Sequence, residues 1–507
     1  MNIAVLGERN IERFGEYPSL WFEGRDYTNV EIFDLARRFS TALQGIGIAP
    51  GDRVGVMLPN IPEIGACYGG ISRMGGVVMP MVFMLAVPEI THILKDSGAA
   101  AVITSPEFHG NIAAAVQGLP DPPRVMVLGD QAPEGTLHFQ GLTDQATPDA
   151  GIVDRKEDDL AVVFYTSGTT GRPKGVMLSH GNLMFNAENT SKVVPTGDGD
   201  VSIACLPLAH LFGMGSTMVG QLFKLRGILL RWFSAEGFFD AVDNHRAKSS
   251  AVVPTMLAYM LGHPDFDKVD WSHFEWLIAA AAPVPVELAD EFEKRTGARV
   301  LEGYGLTETS PTVSVMRMED ARRPGSCGRP TPNVEVAILD EQDEPLPPME
   351  TGEVCVKGPN VMVGYYNMPE ATAEAKRNGW FHTGDMGHLD EDGFLYITER
   401  KKDMIIRGGF NIYPRDVEEV IYGHPAVLEV AVVGVPDRKM GEEVRAYVVL
   451  RPGEQATADD ILQHARDHLA KYKTPKDLFF LDALPKNPIG KILKKDLREM
   501  AKRSQGL

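Results

Sequence analysis

The densest run of chemically useful residues lies between Ala161 and Gly175, which read AVVFYTSGTTGRPKG. An apolar segment, AVVFY, opens directly into threonines, a serine and glycines, and then a lysine. Such a loop can turn backbone N–H groups and hydroxyls toward phosphate oxygens. Gly168 and Gly171 permit close approach and positive φ, and Lys174 adds a point charge. The order differs from the GxxxxGK loop of the common nucleotide-binding fold. Here it is Gly168-x-x-Gly171-x-x-Lys174, with Pro173 before the lysine. No Ser/His/Asp or Cys/His signature for a protein nucleophile accompanies it. A second glycine run, GIGIAPG (Gly45 to Gly51), follows a helical pattern and precedes a strand. That is the reverse of a dinucleotide fingerprint, and it reads as a helix stop and turn.

These residues need a scaffold, and the sequence supplies one by alternation. Thr28 to Gly47 has helical periodicity, with Thr28 as N-cap and Glu31 at capping-box spacing. Gly45 or Gly47 ends it. Arg53 to Pro59 reads as a buried strand, IPEIGACYGGISRMGG as a helix, and Ala99 to Ser105 as another strand. The pattern returns with a helix in FFDAVDNHRAKS, a strand in SAVVP, a helix in TMLAYMLGH and a strand in EWLIAAAA. This β/α alternation predicts a largely parallel sheet covered by helices. After about Pro311 the texture changes to strands joined by acidic or Pro-rich turns. NVEVAILDEQDEPLPP and GEVCVKGPNVMVGYY read as strands, and GHLDEDGFLYIT as a hairpin turning at Asp390 to Gly393. A small antiparallel β unit is expected there. A charged run, ERKKD, interrupts the strand text and places a domain boundary at about 398–402. Beyond it come a helix at RDVEEVIYGH, strands at EVAVVGV and EEVRAYVVL, and a helix at ADDILQHARDHLAKY.

Bulk properties narrow the class. The chain of 507 residues is long enough for more than one domain, and its 44% hydrophobic and 23% charged residues suit a globular protein. A formal net charge of -19 opposes non-specific binding to nucleic acid or an anionic membrane. Any polyanion site must therefore be built locally. Cys67, Cys205, Cys327 and Cys355 form no CxxC or zinc spacing and read as single thiols of a reducing cytosol. The N-terminus lacks a basic leader, and SQGL is no peroxisomal address, so a cytoplasmic location is expected. No segment reaches the roughly 18 apolar residues of a membrane span. The nearest, Met74 to Pro88, is broken by Gly75, Gly76 and Pro80 and reads as a buried strand and loop.

The string YTSGTTGRPKGV, Tyr165 to Val176, closely resembles the phosphate-binding signature of the adenylate-forming (AMP-binding) enzymes. That superfamily includes acyl- and aryl-CoA synthetases. Further motifs of that superfamily follow in order: PLAHLFGM (Pro207 to Met214), GYGLTET (Gly303 to Thr309) and WFHTGD (Trp380 to Asp385). ERKKDMIIRGGFNIYP (Glu399 to Pro414) and PKNPIGKILK (Pro485 to Lys494) complete the set. The resemblance implies an α/β fold. A large N-terminal domain of β/α subdomains, 1–398, would carry a small β-barrel-like unit at about 311–398. A small mobile α+β C-terminal domain, 399–507, would swing on a hinge near Lys402.

The resemblance also implies roles. Thr166, Ser167, Gly168, Thr169, Thr170, Gly171 and Lys174 would hold the phosphates. Thr307 would bond the α-phosphate, and Glu308, with Thr166, would hold Mg²⁺, for which hard oxygen ligands are suited. Tyr304 would line the adenine pocket. Asp385 would accept from both ribose hydroxyls, and Arg400 would offer a permanent cation to ribose or phosphate. Lys491, on a mobile loop, would bridge the acid's carboxylate and the α-phosphate. His210 and Phe212 would stand near that carboxylate, while Met214 and the run Ala279 to Ala282, Ala281 and Ala282 included, would line the acyl pocket. Gly408 and Gly409 would flank the pantetheine of CoA. The implied function is an AMP-forming acyl-CoA synthetase for a fatty or other apolar acid, with ATP, Mg²⁺ and CoA. An aryl-acid CoA ligase, an acyl-AMP ligase loading a carrier protein, and a homodimer stay open at this point.

Overall fold

The computed structural model describes residues 1–149, 151–166, 173–400, 403–408, 410–437, 439–487 and 491–504, with the side chains of Arg400, Asn411 and Ser504 outside that description. Among these residues the strands form four sheets. A nine-stranded sheet runs, edge to edge, from Arg329–Pro330 through Thr312–Val315, Arg299–Gly305, Trp276–Ala279, Ser249–Val252, Val201–Ala204, Arg226–Leu229 and Pro18–Phe22 to Arg25–Thr28. Its interior strands pair parallel, and antiparallel pairs close both edges. An eight-stranded sheet has Arg53–Met57 between Val77–Pro80 and Ala101–Thr104, all parallel. The parallel parts of both sheets follow from the β/α alternation, because parallel neighbours need crossover helices.

Local signals act where the sequence places them. Thr28 accepts the N–H of Glu31, and Glu31 returns a bond to the Thr28 N–H, closing the capping box of the helix Asn29–Gly45. The hairpin Trp380–Leu389 to Leu395–Arg400 turns at Asp390, whose carboxylate accepts the N–H groups of Asp392 and Phe394. Strand pairing continues through Arg400, which faces Asp385.

The antiparallel unit is narrower than the stretch 311–398. Its five strands are Glu335–Leu339, Gly352–Lys357, Lys376–Arg377, Trp380–Leu389 and Leu395–Arg400. Thr312–Val315 and Arg329–Pro330 instead extend the nine-stranded sheet. GEVCVKGPNVMVGYY is likewise two strands. Gly352–Lys357 stays in the antiparallel unit, whereas Gly364–Tyr365 crosses to pair with Lys174–Ser179 of the eight-stranded sheet. The break falls at Gly358, Pro359 and Asn360. Pro cannot donate to a ladder, and the buried Asn360 amide donates to Thr309 O and Thr312 O.

Residues beyond 403 build a five-stranded sheet around the long pair Val427–Asp437 and Gly441–Leu450, covered by the helices Pro414–Tyr422, Ala458–His468 and Lys494–Ser504. Its inward valines, Val432, Val444 and Val448, are fully buried. All four cysteines are buried, and none forms a disulfide. Among the described residues no helix is long and apolar enough to cross a membrane.

Candidate active site

A cavity of about 1530 Å³ opens where the two large sheets, the antiparallel unit and the C-terminal sheet converge. Its wall brings together Thr166, Lys174, His210, Phe212, Met214, Ala281, Ala282, Tyr304, Thr307, Glu308, Asp385 and Lys491. These residues come from five of the six motifs and from the alanine run after Trp276–Ala279.

Thr166 ends the strand Leu160–Thr166, and Lys174 begins its antiparallel neighbour Lys174–Ser179; the two are cross-strand partners. The loop between them therefore leaves and re-enters the sheet at one point. Ser167, Gly168, Thr169, Thr170 and Gly171 lie outside the described residues. Next to Thr166, the Tyr165 hydroxyl donates to Asp96 at 2.7 Å, and burial together with that carboxylate pushes the phenol pKa up.

GYGLTET forms the end of the strand Arg299–Gly305 and the 3-10 turn Thr307–Thr309. Gly305 is required sterically: a Cβ there would stand 1.8 Å from the Pro311 carbonyl oxygen. Tyr304 donates from its hydroxyl to Asp385 Oδ2 at 2.7 Å, so the residue expected at adenine and the one expected at ribose are joined. Asp385 is 4% exposed. It is held by the strand turn before it: Thr383 Oγ1 donates to Val354 O and accepts the Asp385 N–H, and Glu353 accepts the Gly384 N–H. Beside this turn, Cys355 Sγ and His382 Nδ1 meet at 3.3 Å with Glu353 at 3.4 Å from the same nitrogen. Arg377, 3.7 Å from Glu353, counters its charge, so this group reads as an anchor for the Asp385 strand. The side chain of Arg400 lies outside the described residues, but its backbone pairs directly opposite Asp385.

His210 is the N-cap of the helix Leu211–Gly220, and its Nδ1 accepts the Phe212 N–H at 3.2 Å. An Nδ1 that accepts must be unprotonated, which puts the proton of the neutral ring on Nε2. Burial, and then the ammonium of Lys491, lowers the His210 pKa from 6.5 to about 4. At neutral pH the ring is therefore an uncharged Nε2–H donor, and Lys491 is close enough for its charge to be felt there. Gly213 lets the helix start tightly, since a Cβ would fall 2.3 Å from Pro207 O. Lys491 itself is framed by a reciprocal pair, its N–H to Asn487 Oδ1 and the Asn487 N–H to its carbonyl, both 2.8 Å.

The wall expected to take the acyl group is apolar. Met214 is buried, and the run after the strand Trp276–Ala279 turns through Ala281 at φ 69. Left-handed φ at a residue with a Cβ is strained and clusters at binding sites. Gly408, in contrast, does not line the cavity. It sits in a turn at φ 58, its N–H on Met440 O at 2.8 Å. Gly409 and Lys402 lie outside the described residues.

Sequence reading missed two supports of this site. The helix His180–Thr190 carries Asn182, Asn186 and Asn189 on one face. Their amides donate to Pro359 O and Val361 O, to Thr312 O, and to Pro332 O respectively. The spacing i, i+4, i+7 of asparagines in an otherwise ordinary helix was the available signal. The second is Tyr365, whose hydroxyl reaches Glu308 at 3.0 Å; no local pattern announces it.

Thr166 and Lys174, the carboxylate-bearing turn at Thr307 and Glu308, a neutral imidazole and Lys491 around a cavity with an apolar wall suit a nucleotide-dependent activator of carboxylic acids. Family comparison agrees. Residues 7–366 match the AMP-binding enzyme family and residues 416–491 its C-terminal domain. A feruloyl-CoA synthase of Amycolatopsis sp is 39% identical, covering 94% of each chain. A long-chain-fatty-acid–CoA ligase of Bacillus subtilis (strain 168) is 36% identical, over 96% of this chain and 92% of its own. The crystal structure of an anthranilate CoA ligase in complex with anthranoyl-AMP superposes with a TM-score of 0.94 at 26% identity, over 100% and 98% of the two chains. The chain belongs to the AMP-binding enzyme family, as a CoA ligase of the adenylate-forming type.

Proposed function

We propose that the chain is an ATP-dependent acyl-CoA synthetase. In this reading it joins a fatty or other apolar carboxylic acid to AMP and then passes the acyl group to CoA. The observation that carries this reading is the meeting of Lys491 and His210 in one cavity with Thr307, Glu308 and Asp385.

The first half-reaction sets one anion against another, so the protein must neutralise and align them rather than supply a nucleophile. Lys491 would lie between the carboxylate and the α-phosphate, and the His210 Nε2–H would donate to the carboxylate. Thr307 would hold an α-phosphate oxygen, while Asp385, steadied by Tyr304, takes the ribose. Glu308 and Thr166 offer few, hard oxygen donors, which fits Mg²⁺, an ion that keeps several waters. Bound there, Mg²⁺ would offset phosphate charge. The cavity's acyl end, with Met214, Ala281 and Ala282, offers small apolar contacts. For the second half-reaction, residues after about 398–402 would turn on a hinge near Lys402. That would withdraw Lys491 and bring the turn at Gly408 and Gly409 to the cavity, which accounts for Gly408 lying away from it here.

An aryl acid is a second reading, favoured by the feruloyl-CoA synthase relative. One experiment separates the alternatives: purified protein with ATP, Mg²⁺ and a panel of short, long and aromatic acids, with and without CoA. Labelled pyrophosphate should exchange into ATP with one class of acid, and CoA should release AMP and a thioester. Exchange without thioester would point to a carrier-protein acceptor. No exchange with any acid would end the proposal.

A further inference from the structure

Three chain segments meet at Lys174, Glu308 and Tyr365, and one side chain touches the working group of each of the other two. Tyr365 lies on the short strand Gly364–Tyr365, where it pairs with Val176 and Gly364 pairs with Met177. That pairing fixes it next to Lys174, the first residue of the neighbouring strand. The same segment is stitched to the carboxylate turn, because the Met362 N–H donates to Glu308 O at 2.8 Å. Further bonds hold it on both sides: the Tyr366 N–H to Gly175 O at 2.7 Å, and the Tyr365 N–H to Thr372 Oγ1 at 2.8 Å. From this seat the Tyr365 hydroxyl donates to Glu308 Oε1 at 3.0 Å, and the Lys174 ammonium stands 4.9 Å from the centre of its ring. All three side chains face the cavity.

The two contacts do different things. A hydroxyl bonded to Oε1 restricts rotation of the carboxylate and so fixes where its other oxygen points. A ring face under an ammonium holds a flexible four-carbon stem without neutralising its charge. One rigid residue, with only two side-chain torsions, thus pre-sets an anion for a cation and a cation for a phosphate. We propose that Tyr365 is a positioning residue for magnesium-bound ATP, its hydroxyl aiming Glu308 at the metal and its ring aiming Lys174 at the phosphates. The inference rests on the roles given above to Glu308 and Lys174.

Tyr365→Phe removes the hydroxyl and keeps the ring; Tyr365→Leu removes both. Calorimetric ATP binding is measured in EDTA and at several Mg²⁺ concentrations. Pyrophosphate exchange and thioester formation from supplied acyl-AMP are followed in parallel. For Tyr365→Phe, the Mg²⁺ concentration giving half-maximal ATP binding should rise about tenfold, the scale of a lost hydrogen bond to a charged group. Its metal-free ATP affinity and thioester step should match wild type. Tyr365→Leu should in addition lose about threefold in metal-free ATP affinity, the scale of an exposed cation–ring contact. A Glu308→Gln, Tyr365→Phe double variant should need no more Mg²⁺ than Glu308→Gln alone. Wild-type Mg²⁺ dependence in Tyr365→Phe, or equal losses in both half-reactions, would overturn the proposal. Absence of pyrophosphate exchange in the wild-type protein would instead strike the function proposed above.

Discussion

His210 shows how one residue's surroundings set its chemistry. Its backbone position as a helix N-cap makes Nδ1 an acceptor, and burial with a lysine nearby keeps the ring neutral. The sign of the stability effect follows. Unfolded, the imidazole takes a proton as pH falls below 6.5; folded, it resists until about 4. Between those values the unfolded state binds more protons, so this group costs stability as pH falls through that window. His180, lowered by burial to about 4, acts in the same direction. Glu302, raised by burial to about 7, acts in the opposite one: its contribution is present at low pH and is lost as pH rises toward 7. The total curve therefore mixes signs, and a difference isolates His210. Denaturant unfolding of wild type and His210→Gln at pH 7 and pH 5 should show the variant gaining on wild type at the lower pH. The expected slope is about 1.4 kcal/mol per pH unit inside the window. A difference that does not change with pH would mean that the imidazole is not held neutral.

At the scale of elements, the site depends on how loops are tied to a helix. The Thr309 carbonyl, at the end of the Thr307–Thr309 turn, and the Thr312 carbonyl, on the strand after it, face two buried amides. Asn186 donates to Thr312 O at 3.1 Å and, weakly, to Thr309 O at 3.5 Å; Asn360 donates to both at 3.2 Å. A carbonyl has two lone pairs, so each amide partly covers the loss of the other. Asn186→Ala and Asn360→Ala should each cost about 1 kcal/mol in unfolding experiments, whereas the double variant, leaving buried carbonyls unpaired, should cost clearly more than the sum. The double variant should also slow acyl-AMP formation, because Thr307 and Glu308 ride on that turn. Additive losses would show that the amides work independently. This layer marks the boundary of what the sequence discloses. The capping box at Thr28 and the Asp390 hairpin are local, and their residues stand where the text places them. Asn186, Asn360 and Tyr365 act on partners far along the chain, Glu308 and Tyr365 being 57 positions apart. The run GEVCVKGPNVMVGYY likewise hides that its two ends belong to different sheets. Such relations exist only once the sheets have assembled; the asparagine spacing marks a shared helix face, but no spacing names the partners.

Across the whole molecule, one buried cation joins the two parts that the proposed hinge would separate. Lys494 reaches Glu399 at 2.8 Å and Glu418 at 3.0 Å. Burial alone would lower its pKa, but the two carboxylates outweigh this and raise it, so the ammonium stays charged. Glu418 lies on the helix Pro414–Tyr422 and would travel with Lys494 in any swing about residue 402. Glu399 would not, because its strand is paired to Met386 in the antiparallel unit. The Arg415 guanidinium makes a second link of this kind, donating to Ile397 O. In the proposed swing the Lys494–Glu399 contact would favour the orientation in which Lys491 enters the cavity, and it would have to break before the Gly408 turn could replace it. Glu399→Gln keeps the shape and a hydrogen-bond acceptor but removes the charge. A loss of about 1.4 kcal/mol at this contact would shift the balance of orientations tenfold. Acyl-AMP formation should then fall several-fold, while thioester formation from supplied acyl-AMP is unchanged or faster. Because the pair is buried, raising the salt concentration should mimic the variant only weakly. If Glu399→Gln slowed both half-reactions alike, the contact would be part of the general scaffold and would not bias the swing.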